Sequence, residues 1–417
     1  MKSLIFFCCV WMLTAEAKPL KVDVAAQSAI LINAETGAVL YEKESHKPCF
    51  PASTTKIATA LYALEKKGGA LNDVVQATPE ALALRKGAQS PPHRLIPDGT
   101  HMGLKTGEEL PLQALIHGLM LVSGNDAANV IAEHVSGDVP RFMEELNAYL
   151  RAHGIHETNF CNPHGIHVEE HKTTANDLAK MAQLALKHPT FREVVKTVHF
   201  TRPETNKQPA STLTQMNRLL KPGASYYPKA IGIKTGYHSN SGPTLVAAAE
   251  HEGRTLIAVI LGAVDGTRRF KDAIALFEAA FSQKPIQRVF FSKRYDLFSC
   301  QVKGAKDKLE AALPEDLTYE YYPAEEPQVT ALIHWSRKKL PIKEGDVVGE
   351  MRLMTADHKM LKSALLYAVR GLEGTYWFQA KAFVGEHFIL ILIVGSLMLG
   401  IAFALLYFKK EAEEVAE

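Results

Sequence analysis

Ser53-Thr54-Thr55-Lys56 sets a hydroxyl and an amine three residues apart, so that on a helix both project from one face. An alcohol attacks poorly until a base removes its proton, and a lysine serves as that base only where burial and a neighbouring positive charge lower its pKa. The pattern is weak by itself, since Ser336-Arg337-Lys338-Lys339 repeats it in a basic run that reads as a solvated loop. Two further sets supply what the pair lacks. Ser123-Gly124-Asn125 brings a second hydroxyl and an amide, and Lys234-Thr235-Gly236 brings the second cation with a glycine where a substrate must approach the backbone. In that order the three sets are the parts of a serine acyl-transfer site. An earlier Lys105-Thr106-Gly107 is set aside because it precedes Ser123 and runs into Glu108-Glu109, whereas Lys234 follows the apolar Ala230-Ile231-Gly232-Ile233.

The elements that must position these residues show in the periodicity. Residues 28–33 and 38–42 are apolar-rich runs around Glu35-Thr36-Gly37 and predict a β-hairpin. Lys56, Ile57, Ala60, Leu61 and Leu64, with Gly68-Gly69 beyond, predict a helix that starts at Ser53. Leu112, Leu115, Ile116, Leu119 and Met120 keep a helical period that resumes over 127–134, so residues 123–126 are expected as the turn between two helices. Helices are also predicted over 139–153, 174–187 and 268–281, and strands over 230–236, 244–250 and 255–262. Beyond Lys284, short alternating runs separated by Pro, Gly and charged clusters predict a small β domain.

Both ends carry segments of another kind. Lys2, the short apolar run 4–13 and Ala15-Glu16-Ala17 read as an export signal over residues 1–17. Residues 388–408 hold no charged side chain, and a helix of that length, at ~1.5 Å per residue, crosses a hydrocarbon layer ~30 Å thick. Lys409-Lys410 follow at once and fit the positive-inside preference. The expected organisation is therefore a signal (1–17), a chemical unit (18–283), a β-rich domain (284–372), a juxtamembrane segment (373–387), a transmembrane helix (388–408) and a cytoplasmic tail (409–417). Such a protein is a single-pass component of the inner, cytoplasmic membrane with its bulk on the periplasmic side.

Composition removes other classes. With 47 basic and 45 acidic side chains nothing advertises a nucleic-acid groove, and no nucleic-acid partner is expected. Once Cys8 and Cys9 leave with the signal, Cys49, Cys161 and Cys300 remain, without a C-x-x-C pair, and take no assigned role. His164, His167 and His171 have tempting spacings, but Pro163 and Gly165 argue against a helix there and no H-E-x-x-H is present. No metal and no cofactor is expected.

Pro51-Ala52-Ser53-Thr54-Thr55-Lys56, Val122-Ser123-Gly124-Asn125-Asp126-Ala127, Asn162-Pro163-His164-Gly165-Ile166 and Gly232-Ile233-Lys234-Thr235-Gly236 together resemble blocks of the low-molecular-mass penicillin-binding proteins, D-alanyl-D-alanine carboxypeptidases of peptidase family S11. Leu340-Pro341-Ile342 and Gly345-Asp346-Val347-Val348-Gly349 resemble that family's C-terminal domain, so the resemblance runs from about residue 28 to about residue 353. It implies an α+β fold of the serine β-lactamase and penicillin-binding-protein type with a helical subdomain, followed by a small all-β domain. The implied substrate is the peptidoglycan stem pentapeptide, and β-lactams are implied as covalent ligands. Carried over by residue, Ser53 is acylated while Lys56 takes its proton, and Ser123 and Asn125 relay a proton and bind the peptide. Lys234, Thr235 and Arg269 hold the terminal carboxylate beside Gly236, and the backbone N–H groups of Ser53 and Tyr237 form an oxyanion hole. The chain departs from the family in two places: Tyr237 precedes His238 where relatives often carry His directly after K-T-G, and the anchor reads as a span rather than an amphipathic interfacial helix.

Two other readings compete. A β-lactamase shares the three motifs but needs a carboxylate to activate the deacylating water, usually within E-x-x-L-N, and Glu144-Glu145-Leu146-Asn147 lacks that spacing. A non-catalytic membrane receptor for cell-wall peptides would not need the intact trio.

Overall fold

The computed structural model describes residues 8–13, 18–87, 89–336 and 340–414. The cleavage site expected at Ala15-Glu16-Ala17, residues 337–339 of the second S-x-x-K copy and the last three residues of the tail lie outside them.

Five antiparallel strands frame one unit, in the order Val39–Lys43, Ser28–Asn33, Arg254–Leu261, Gly242–His251, Ala230–His238. Ser28–Asn33 and Arg254–Leu261 are buried along their whole length, which is why they read as unbroken apolar runs. The two-residue period sorts their side chains between two cores. Ile30, Ile32, Ile257 and Val259 join a core shared with helices α1 (Lys56–Lys67), α2 (Leu112–Leu121), α3 (Asn125–Ser136), α4 (Val139–Ala152), α5 (Ala175–Leu186) and α6 (Pro189–Lys196). Ala29, Leu31, Leu256 and Ala258 join Phe270, Leu276 and Phe277 of α7 (Arg268–Phe281). The result is an α+β sandwich with a helical body on one sheet face and a single helix on the other.

Most predicted elements appear within a few residues of their expected bounds, and two differ. Ser53 does not open an α-helix. It lies in a 3-10 turn, Ala52–Thr55, and α1 begins at Lys56. The Thr54 and Thr55 hydroxyls donate back to the carbonyls of Pro51 and Ala52, offering the backbone a tighter alternative at this point. The sequence reading also omitted α6 and the hairpin His199–Arg202 with Ser211–Thr214, whose short, largely exposed strands carry little apolar alternation.

Residues 286–321 and 327–414 form a second unit with residues 8–13. Its six-stranded sheet runs Cys8–Leu13, Val329–Trp335, Val347–Thr355, Met360–Ala368, Leu309–Ala312, Leu297–Cys300. Phe291, Phe298, Leu317, Val348, Met351 and Leu366 fill its core. Cys8–Leu13, expected within the export signal, is an edge strand here, pairing antiparallel with Val329–Trp335. Helix α8 (Tyr376–Glu386) is tied to this unit through Thr375, whose amide donates to the Gly304 carbonyl. Helix α9 (Phe388–Glu414) follows, and its stretch Phe388–Leu406 is long and apolar enough to cross a membrane.

Tyr322–Glu326, although it falls between strands of the second unit, packs within the first. Ala324 enters the α7-side core, and Pro323 accepts from the Lys18 amide at 3.1 Å. Glu325 binds Asn33 Nδ2 at 2.8 Å and pairs with Arg254, whose guanidinium also donates to the Ala280 carbonyl and stacks 3.6 Å from the Tyr322 ring centroid. Both partners of this pair are largely buried, so removing one leaves an uncompensated charge. Glu325→Ala is expected to cost roughly 3–5 kcal/mol, measured as a lower denaturation midpoint. An unchanged midpoint would show that this clip adds nothing to the first unit.

Candidate active site

The 3-10 turn that carries Ser53 is held in an uncommon conformation. Ala52 has φ +50°, a left-handed value that a non-glycine residue adopts only where its surroundings enforce it. Gly165 is one such enforcer: a Cβ there would stand 1.9 Å from the Ala52 carbonyl oxygen, so only glycine lets the 162–166 loop pass beneath the turn. His171 is another. Its Nδ1 accepts from the Cys161 amide, which leaves Nε2–H to donate to Thr55 Oγ1, and that hydroxyl donates to the Ala52 carbonyl.

Lys56, the first residue of α1, is fully buried. Its Nζ donates to Ser53 Oγ at 3.1 Å, to Asn125 Oδ1 at 2.7 Å and to the His164 carbonyl at 2.7 Å. All three acceptors are neutral. Burial, and then the charge of Lys234, hold the Lys56 pKa well below the ordinary lysine value, against a smaller opposing influence from Asp126. Lys234 is buried too, and burial with the Arg269 charge lowers its pKa to about 7. His164 stays neutral for the same reasons, burial first and Lys56 second, with Nδ1 accepting from the Ile166 amide and Nε2 donating to the His93 carbonyl.

Ser123 and Asn125 enter from the turn between α2 and α3. Ser123 has φ +63°, and its buried Oγ makes no hydrogen bond. Its carbonyl accepts from Thr100 Oγ1, and the Asn125 amide donates to the Thr100 carbonyl. Lys234, Thr235, Gly236 and Tyr237 lie on Ala230–His238, the last strand of the sheet. A Cβ on Gly236 would fall 3.0 Å from the Ser53 amide nitrogen and 2.4 Å from Thr244 Oγ1, so the missing side chain is what brings this strand against the Ser53 turn. Lys234 Nζ donates to the Thr235 carbonyl. Tyr237 is 70 % exposed. Arg269, on α7, donates Nη1 to the Gly236 carbonyl at 2.7 Å and to the Thr244 carbonyl at 3.2 Å, so it reaches the strand through backbone oxygens.

The structure thus gathers Ser53, Lys56, Ser123, Asn125, Lys234, Thr235, Gly236 and Arg269 from four segments of the first unit. The earlier Lys105-Thr106-Gly107 lies in a turn, with φ +75° at Gly107. Three contributors went unassigned in the sequence reading: the His164 carbonyl, His171 and Asp126. Asn162-Pro163-His164-Gly165 was visible as a block, yet a backbone carbonyl has no residue-type signature.

The chain matches the D-alanyl-D-alanine carboxypeptidase family, peptidase family S11, over residues 13–265. It is 32% identical to D-alanyl-D-alanine carboxypeptidase DacF of Bacillus subtilis over 287 residues, covering 68% of this chain and 69% of that one. DacA of Haemophilus influenzae is 27% identical over 380 residues, 85% of this chain and 88% of its own. Among solved structures, penicillin binding protein 5 from Haemophilus influenzae aligns with a TM-score of 0.59 and 25% identity over 85% of this chain and 99% of that one. The Streptomyces K15 DD-transpeptidase aligns at 0.56 with 29% identity over 63% and 99%. With its three motifs converging on one buried lysine in this fold, the chain belongs to the D-alanyl-D-alanine carboxypeptidase family of serine peptidases.

Proposed function

We propose that the chain's carboxypeptidase activity runs through Ser53, with Lys56 as its base. The observation that carries this reading is the 3.1 Å contact between a fully buried amine without a carboxylate partner and the Ser53 hydroxyl. Neutral Lys56 takes the Oγ proton as Oγ bonds to the carbonyl carbon of the penultimate D-alanine of a peptidoglycan stem pentapeptide. The developing oxyanion is met by the backbone N–H groups of Ser53 and Tyr237. The C–N bond then breaks, and the proton passes from Lys56 through the Ser123 hydroxyl to the departing amine. Asn125 holds the peptide and Lys56, while Lys234 and Thr235 bind the terminal carboxylate. Arg269 supports that anion site through Gly236 and adds its positive charge. Water completes the cycle by splitting the Ser53 ester. A β-lactam follows the first half, but its amide nitrogen stays tethered after the ring opens, so the acyl-enzyme persists.

Glu145, the carboxylate of the β-lactamase alternative, is engaged elsewhere. It accepts from Tyr62 Oη, Ser136 Oγ and Arg141 Nε. Asn147 is bonded to the Phe160 backbone. The family assignment favours neither this reading nor a non-catalytic receptor.

We also infer that the Phe388–Leu406 stretch is a single inner-membrane span and that the carboxypeptidase unit is held on the periplasmic side, the export signal and Lys409-Lys410 supporting that orientation.

Ser53→Ala is expected to abolish covalent labelling by fluorescent penicillin and release of D-alanine from a pentapeptide. Labelling that survived would place the nucleophile elsewhere, while rapid release of hydrolysed drug would favour a β-lactamase. The pH profile of kcat/KM should be bell-shaped. Activity rises as pH climbs through the lowered pKa of Lys56, which must be neutral, and falls above about 7 as Lys234, which must be charged, loses its proton. A flat acid side would remove Lys56 as base, and a flat alkaline side would remove the charge requirement at Lys234. Deleting residues 388–414 should move the protein from the membrane to the soluble periplasmic fraction. Retention in the membrane pellet, or recovery in the cytoplasm, would contradict the proposed topology.

A further inference from the structure

Asp126 directly follows Asn125 and takes no part in the proposed bond-making and bond-breaking steps. Its side chain is buried, 3% exposed, on the first turn of α3. Each oxygen accepts two backbone amides: Oδ1 those of Met102 at 2.8 Å and Ala127 at 2.9 Å, and Oδ2 those of Gly103 at 2.8 Å and Leu104 at 3.0 Å. Three of the four donors belong to the loop that also holds the turn at Thr100, through Thr100 Oγ1 to the Ser123 carbonyl and the Asn125 amide to the Thr100 carbonyl. The far side of that loop is pinned by a second buried carboxylate. Glu108 accepts from Arg202 Nη1, Thr205 Oγ1, Gln208 Nε2 and the Lys105 amide, and Gln208 Nε2 also reaches the Gly103 carbonyl. The loop is therefore clamped between two carboxylates, of which only Asp126 adjoins the residue that binds Lys56.

We propose that Asp126 is a positioning residue of the acylation step: it clamps the loop that holds Ser123 in its left-handed conformation, and it sets a buried carboxylate one residue from the Asn125 that binds Lys56. The inference rests on Lys56 being the base. A carboxylate whose two oxygens are taken up by four backbone amides cannot swing into an ion pair, so it lies near the amine without quenching it. The other groups facing Lys56 are Lys234 on the edge strand, which pushes the opposite way, and His164 and His171 from the 162–171 loop, both kept neutral by burial. Arg269 acts at one remove, through Lys234.

The test is the rate of penicillin acylation against pH for the full chain and three variants. Asp126→Asn keeps the shape, removes the charge and turns one acceptor oxygen into an NH2 that faces two backbone donors, so it also loosens the clamp. It should lower the plateau rate by roughly tenfold and move the acid limb down by roughly one pH unit, the low end of a neighbouring charge's effect. Asp126→Glu keeps the charge in a displaced position and should slow acylation with the limb unmoved. Glu108→Gln loosens the same loop from its far side and should lower Tm and rate without moving the limb. An acid limb that stays in place in Asp126→Asn, or that moves equally in Glu108→Gln, overturns the charge role. Should Asp126→Asn fail to fold, Asp126→Glu decides alone: an unmoved limb with a lower rate supports the proposal, and a moved limb or an unchanged rate defeats it. A wild-type profile with no acid limb would instead defeat the assignment of Lys56 as base.

Discussion

The structure depends on one costly placement: a lysine amine removed from water with no carboxylate beside it. Transfer of an ammonium into such a site costs several kcal/mol, and burial accordingly holds the Lys56 pKa well below the ordinary lysine value. The amine we propose as base lies 3.1 Å from Ser53 Oγ, the alcohol it would activate. The surroundings keep the balance from tipping either way. Asn125 Oδ1 and the His164 carbonyl satisfy the amine in both protonation states, while Lys234 opposes its charge and Asp126 favours it.

Holding that amine in place requires backbone that is unfavourable by itself. Ala52, which precedes Ser53, and Ser123 both sit at left-handed φ, which costs on the order of 1–3 kcal/mol each for a residue with a side chain. Each is fixed by partners distant in sequence. The His171–Thr55 relay and the Gly165 crossing fix Ala52, and Thr100 and Asp126 fix the Ser123 turn. The cost of strain at the site is met by packing and hydrogen bonds in the helical body, whose core is continuous and apolar.

The sheet provides the rigidity on which these loops converge. The Ala230–His238 strand ends the sheet order and carries Lys234, Thr235 and Gly236 to the Ser53 turn. The same unit is completed by Tyr322–Glu326, borrowed from much later in the chain through the Arg254–Glu325 pair. The apolar helix α9, the span we propose, falls in the other unit.

Much of this was legible from residue types alone. Period-two and helical apolar patterns located the sheet and most helices, because burial on one or both faces leaves a mark on every position. The three motifs pointed to Ser53, Lys56, Ser123, Asn125 and Lys234, and the fold brings these residues together, because hydroxyl, amine and amide chemistry belongs to few side-chain types. The uncharged stretch 388–408 marked α9, since hydrocarbon tolerates no exposed charge. What the sequence could not reveal were contributions without a residue-type signature. The His164 carbonyl is backbone, and the 3-10 turn at Ser53 follows from contacts with Gly165 and His171 more than a hundred residues away. Arg269 meets backbone oxygens through the packing of α7, and Asp126 reads as an ordinary first-turn acid until four amides are seen around it. Tertiary structure decided these because a pKa, a strained φ or a shared carbonyl is a property of what surrounds a residue, and chain neighbours do not specify those surroundings.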